Sequence, residues 1–155
     1  MPGYKGHLLG GSAAFGLIYL AVSTAQPVGD PVQGAIWYVC TLAGALFPDI
    51  DTKSKGQKYF YWIVLGLMLY FFYKGQLLML SYLALASITP MLVKHRGIFH
   101  NMWFIVGIII GMHFLATKYA PTYAASVALY LIFFAAGALS HLYLDLGFRR
   151  MVRLR

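Results

Sequence analysis

Apolar residues come in long blocks along almost the whole chain, separated by brief polar or turn-like breaks. The blocks cover about 8–25, 32–48, 59–73, 76–93, 101–117 and 121–147. Each is close to the length a helix needs to cross the hydrocarbon core, roughly 17 to 25 residues. The pattern predicts an all-α, polytopic membrane bundle of about six transmembrane helices. The third block is short, but its ends are aromatic and Lys58 and Lys74 flank it, so it can anchor and snorkel at both interfaces. A re-entrant pair is the alternative for the third and fourth. The breaks, Gln-Pro-Val-Gly-Asp-Pro at 26–31 and Lys-Gly-Gln at 74–76 among them, are turn-like. Neither a linker nor an internal repeat is visible, and residues 1–155 read as one membrane-embedded domain.

Composition supports the same class. The chain is 61% hydrophobic and 10% charged, against a charged fraction of about 25% in ordinary soluble domains. Cys40 is the single cysteine, so an intrachain disulfide is excluded and the residue reads as a small buried hydrophobe. Lys5 ahead of an apolar run and Ser23-Thr24-Ala25 after it imitate a signal peptide. With Met1 in place, the first block reads as a retained helix.

Charge then orients the bundle. If six helices alternate, one face receives Lys5, Lys53, Lys55, Lys58, Lys94, Arg96, Arg149, Arg150, Arg153 and Arg155, and the other only Lys74 and Lys118. By the positive-inside rule both termini of this multi-pass chain are expected in the cytoplasm. The net charge of +8 is thereby concentrated beside anionic headgroups, which makes membrane lipids the expected partners. Topology alone accounts for such a bias, so nucleic acid is not an expected partner.

The chain has no Glu and only four Asp. Two of them sit in "FPDID" at 47–51, where the second block ends. On the six-helix topology His7, Asp49, Asp51, His95, His100, His141 and Asp145 all fall toward the cytoplasmic face. Intramembrane ionisable groups are costly, roughly 2.5–3.5 kcal/mol for Asp near a helix centre, and metal coordination would offset that cost. His141 and Asp145 stand one helical turn apart, on one face. Asp49 and Asp51 would point the same way if their segment were extended. Gly97 permits a bend between His95 and His100. Imidazole with carboxylate suits zinc or manganese rather than calcium. Seven candidate ligands suffice for two or three ions with open positions.

Taken singly, each feature has a plainer structural reading. His141 and Asp145 could be an interhelical hydrogen bond, Asp-x-Asp after Pro a helix end, and His95 part of a basic loop. His113 has no acidic neighbour and reads as structural. Gly107-x-x-x-Gly111 favours close helix packing and points weakly to a homo-oligomer.

The series His7, "FPDID", "HRGIFHN" and "GALSHLYLD" resembles the YdjM-like family of bacterial inner-membrane metal-dependent hydrolases. That family looks distantly related to zinc-dependent phospholipases C and zinc single-strand nucleases. The likeness runs in order from His7 to Asp145, and it implies the cell (inner) membrane of a bacterium or archaeon. It implies metal-ligand roles for His7, Asp49, Asp51, His95, His100, His141 and Asp145, with Arg96 beside them. Phe99 and Asn101 depart from the Thr and Ser that commonly surround the second His of the motif. The implied function is a membrane-embedded, metal-dependent hydrolase, a phosphoesterase using two or three zinc or manganese ions. Its expected substrate is an amphiphilic phosphate, a phospholipid or polyprenyl phosphate, in the cytoplasmic leaflet. Asp49 or Asp51 would bridge ions or act as general base, and Arg96 would clamp a phosphate oxygen. The alternative is a divalent-metal or proton transporter or channel. Transporter ligands tend to lie near the midplane on broken helices, often between repeats; Pro90 breaks the fourth block, but the cluster lies at one face.

Overall fold

The structure, a computed structural model, describes residues 3–25, 30–51, 54–92 and 98–152. Its described residues form seven α-helices: α1 Tyr4–Ala25, α2 Pro31–Leu46, α3 Lys55–Tyr73, α4 Leu77–Leu92, α5 Met102–Tyr119, α6 Ala124–Leu146 and the short α7 Phe148–Met151. Three 3₁₀ turns, Phe47–Asp51, Ile98–His100 and Pro121–Tyr123, complete the order.

Local sequence explains several helix ends. The Asp30 carboxylate accepts from Val32 N at 2.8 Å with Pro31 in the first turn, where a missing N–H costs nothing. Ser54 and Asn101 cap α3 and α5 in the same way, accepting from Gln57 N at 3.1 Å and Trp103 N at 2.8 Å. α2 stops because Pro48 has no N–H to continue the α-pattern. Phe47 N–H closes instead on Gly44 O, tightening the chain into the 3₁₀ turn that carries Asp49 and Asp51. Gly147 ends α6 at φ 70°, a left-handed conformation that side chains resist.

All six apolar blocks fold as helices. By length and apolarity Tyr4–Ala25, Met102–Tyr119 and Pro121–Leu146 can cross a membrane. α2 and α4 have 16 residues each, about 24 Å of helix, less than the roughly 30 Å of a hydrocarbon core. The early stop at Pro48 is what shortens α2.

α1, α2 and α6 pack as the centre of the bundle, with α5 laid against α6. Small residues set the distances. A Cβ on Gly44 would strike the Phe134 carbonyl oxygen, and one on Gly137 the Thr41 carbonyl oxygen, so α2 and α6 meet backbone to backbone. On α1, a Cβ on Gly11 would lie 2.8 Å from Ala45 Cβ, and one on Gly10 2.6 Å from Leu144 Cδ1. Without a hydrophobic drive between helices in lipid, such close approach is what holds them together. Trp37 and Phe133 stack below it, ring centroids 4.9 Å apart. Gly107 and Gly111, by contrast, have no neighbour within 4 Å of an added Cβ, so that pattern packs nothing within the described chain.

Candidate metal centre

The tight α1–α2–α6 contact lies directly beside the polar residues. His141 is one helical turn after Gly137, on the face that touches α2. Its ring is fully buried, and Nδ1 lies 2.7 Å from Ala45 O. A carbonyl oxygen only accepts, so Nδ1 carries the proton, and the neutral ring presents its Nε2 lone pair to the other side. There Asp49 Oδ1 stands at 3.6 Å and Asp145 Oδ2 at 3.8 Å. His141 Nε2 is buried and makes no hydrogen bond among the described residues, and the same holds for Asp145 Oδ1. Ligating histidines are commonly oriented in this way, the second ring nitrogen donating to a carbonyl or carboxylate.

α1 brings His7 onto the same spot. Its imidazole stacks on that of His141 at 3.7 Å between centroids and 13° between planes. The Asp145 carboxylate spans the edges of the two rings, Oδ1 lying 3.5 Å from His7 Nε2. The expected i, i+4 relation of His141 and Asp145 is therefore present in α6.

The two turns close the cluster. Asp49 and Asp51 lie in a 3₁₀ turn, so the condition of an extended segment, under which they would point the same way, is not met. They face opposite edges of one ring instead, Asp49 Oδ1 3.7 Å from His100 Nε2 and Asp51 Oδ2 3.9 Å from His100 Nδ1. Asp145 Oδ2 is 3.9 Å from His100 Nε2. Asn101 caps α5 and so fixes the turn at Ile98–His100 that delivers this ring. Burial pushes the His100 imidazole below its ordinary pKa, and the negative charge of Asp51 opposes that. A depressed pKa favours the neutral, ligand-competent form.

Six of the seven sequence-derived ligands thus converge at one end of the bundle. The seventh, His95, lies outside the described residues, as does Arg96. His113 is exposed on α5 and takes no part. Two sets of three ligand atoms, from His7, His141 and Asp145 and from Asp49, His100 and His141, each lie within 4.8 Å of one another. Both sets use His141, whose single available lone pair serves one ion only. The donor set fits divalent transition metals: neutral imidazoles, carboxylates, buried acceptors without a hydrogen bond, and no thiolate. What sequence reasoning missed is the scaffold. Gly44, Gly137 and the Ala45 carbonyl set the geometry, and among them only the small-residue pairing of Gly44 and Gly137 left a trace in the sequence.

The chain belongs to the YdjM inner membrane protein family, whose family model matches residues 1–154. Comparison with curated proteins and with solved structures finds no match. Membership establishes an inner membrane protein.

Proposed function

We propose that this protein is a membrane-embedded, metal-dependent hydrolase that cleaves a phosphoester of an amphiphilic lipid, a phospholipid or polyprenyl phosphate, at the cytoplasmic leaflet. The observation that carries the reading is the anchoring of His141. Its Nδ1 is tied to the Ala45 carbonyl while Nε2 is aimed, without a hydrogen bond, at two carboxylates. A histidine serving only as an interhelical bond would have no need of a second, unsatisfied edge in a buried site.

His7, His141 and Asp145 would hold one ion, with Asp49, Asp51 and His100 as the donors for a second. Divalent ions in such a set, zinc or manganese by ligand type, lower the pKa of water and neutralise charge on phosphoryl oxygens. The chain's own groups do the rest. Asp49 is the most exposed of the three clustered carboxylates, its side chain 20% exposed against 6% for Asp145 and 0% for Asp51. Asp49 is therefore the one placed to take a proton from an entering water, with Asp51 holding the His100 ring from its far edge. Arg96 is assigned the phosphate oxygens, whose geometry its fork matches. The basic face, and with it both termini, is assigned to the cytoplasm.

Metal analysis of detergent-purified protein, paired with a lipid panel followed for released phosphate or phosphorylated headgroup, tests the reading. About two zinc or manganese ions per chain and turnover abolished by chelator and by Asp49→Asn are expected. Metal-free wild type would count against the metal centre, and ion flux into liposomes that needs these residues while no lipid is cleaved would replace the enzyme with the transporter.

A further inference from the structure

α2 and α3 are joined by the turn that carries Asp49 and Asp51, yet they diverge from it. α3 packs on that turn and on α4, and scarcely along α2. Both nevertheless present an apolar stripe with the spacing of one helical face toward the gap: Val39, Leu42, Ala43 and Leu46 on α2, and Gly56, Tyr59, Phe60 and Ile63 on α3. Between them lies a cavity of about 540 Å³, floored by Leu8 of α1 and Phe134 of α6. Among the described residues no charged side chain lines it. Its outer lip is open, Val39 being 64% and Ile63 63% exposed.

One end of this groove abuts the candidate metal centre. Phe47 and Ile50 close it, and they alternate in the same 3₁₀ turn with Asp49 and Asp51, which face the imidazoles. Leu8 likewise follows His7. From Leu46 back to Val39 the groove runs about 10 Å along α2, away from the site, a large part of the roughly 15 Å of one leaflet's hydrocarbon.

We infer that this groove seats one acyl chain of a bilayer phospholipid, entering sideways between α2 and α3 with its head-group end at the Asp49–Asp51 turn. The cavity has the size of a ligand site, 540 Å³ lying within the usual range for a small-ligand pocket, about 300–1,000 Å³, and its inner end meets the turn that carries the candidate ligands Asp49 and Asp51. The apolar lining and the lip open to hydrocarbon suit a chain rather than a polar ligand. That its headgroup is then the group hydrolysed rests on the phosphoesterase reading; occupancy by the chain does not.

The test is photolabelling in nanodiscs with phosphatidylcholine bearing a diazirine either near the carbonyl or near the chain end, mapped by peptide mass spectrometry. Labelling of α2 and α3 several-fold above the α5 peptide around Ile110, which is equally exposed, is expected. The proximal diazirine should mark the Leu46–Ile50 end and the terminal one the Val39–Ile63 end. Ala43→Trp and Ile63→Trp, both at exposed positions, should each cut labelling several-fold, and Ile110→Trp should not. Equal labelling of the α5 face, a reversed order of the two probes, indifference to both groove substitutions, α2-to-α2 cross-links between copies, or displacement by an isoprenyl phosphate and not by excess phospholipid would overturn the assignment. Asp51→Asn should leave labelling intact. Metal-free, inactive wild type with that labelling intact would therefore remove the phosphoesterase reading and leave the chain site standing.

Discussion

The α1–α2–α6 centre and the α3–α4 hairpin are both built from predominantly apolar sequence, and they are packed in opposite ways. α6 alone buries Leu131, Phe133, Gly137, Ala138, His141 and Leu142. α3 buries only Gly56 and Val64, and α4 buries Pro90 among its described side chains. In water such a hairpin would be an aggregation hazard. In lipid, exposed Leu and Phe cost nothing, and helices associate where small residues let backbones approach and where polar groups find partners. The centre has both, in Gly44, Gly137 and the His–Asp cluster; the hairpin touches the 47–51 turn and the end of α2 through Gly56 and Gln57, and between α3 and α4 the described residues offer Tyr61 OH, which donates to Ser87 O at 3.0 Å. Apolar content therefore says that a segment enters the bilayer, and small and polar residues say which segments hold one another. The rigid centre fixes the geometry of the cluster, and the loosely packed hairpin leaves the side opening beside it.

The sharpest way to break this contrast is to move bulk into each region. Gly137→Val would drive side-chain carbons into the Thr41 carbonyl and is expected to cost at least about 3 kcal/mol, seen as loss of monodisperse folded protein in detergent. Gly107→Val, where an added Cβ meets nothing, should leave elution and melting unchanged. Equal damage from both would show that α5 packs as tightly as α6.

On the proposed metal-dependent reading, metal affinity is expected to separate the cluster from the rest of the chain. His141→Ala and the near-isosteric Asp145→Asn are each expected to weaken zinc binding by about tenfold or more, measured by competition with a chromogenic chelator. His113→Ala should have no effect. A uniform response to all three would mean that metal is held elsewhere.

Smaller effects sharpen the boundary between the regions. Asn101→Ala removes the cap that fixes the turn carrying His100 and should cost about 1 kcal/mol, with a fall in metal affinity that an ordinary cap substitution would not cause. Tyr61→Phe removes the hairpin's interhelical bond and should cost only about 0.6 kcal/mol in a denaturation series, with metal content unchanged.

Much of this was legible in the one-dimensional pattern. Every apolar block became a helix, because runs of that length and composition can satisfy their backbone in lipid only as helices. Capping side chains Asp30, Ser54 and Asn101 lie where short polar residues precede those runs. The gathering of His7, Asp49, Asp51, His100, His141 and Asp145 at one level followed from helices that alternate in direction, since His7 and His100 stand at the starts of their blocks and Asp49, Asp51, His141 and Asp145 at the ends of theirs. The conformation of "FPDID" was not legible: Pro48 is compatible with an extended exit and with a 3₁₀ turn, and the choice depends on what the turn packs against. Nor did apolarity separate the helices that can cross a membrane by length from those cut short.

The sequence by itself determined the class of molecule, the helices and the identity of the candidate ligands, because length, apolarity and residue chemistry are local properties. Only the tertiary structure decided how those ligands face one another. The stacking of His7 on His141, the Ala45 carbonyl that sets the His141 tautomer, and the opposed approach of Asp49 and Asp51 to His100 all depend on distances between segments far apart in the chain, His141 lying 96 residues from Ala45 and further still from His7. Those distances are set by where two glycines allow two backbones to touch, and that is a property of the pair of helices, which neither helix carries alone.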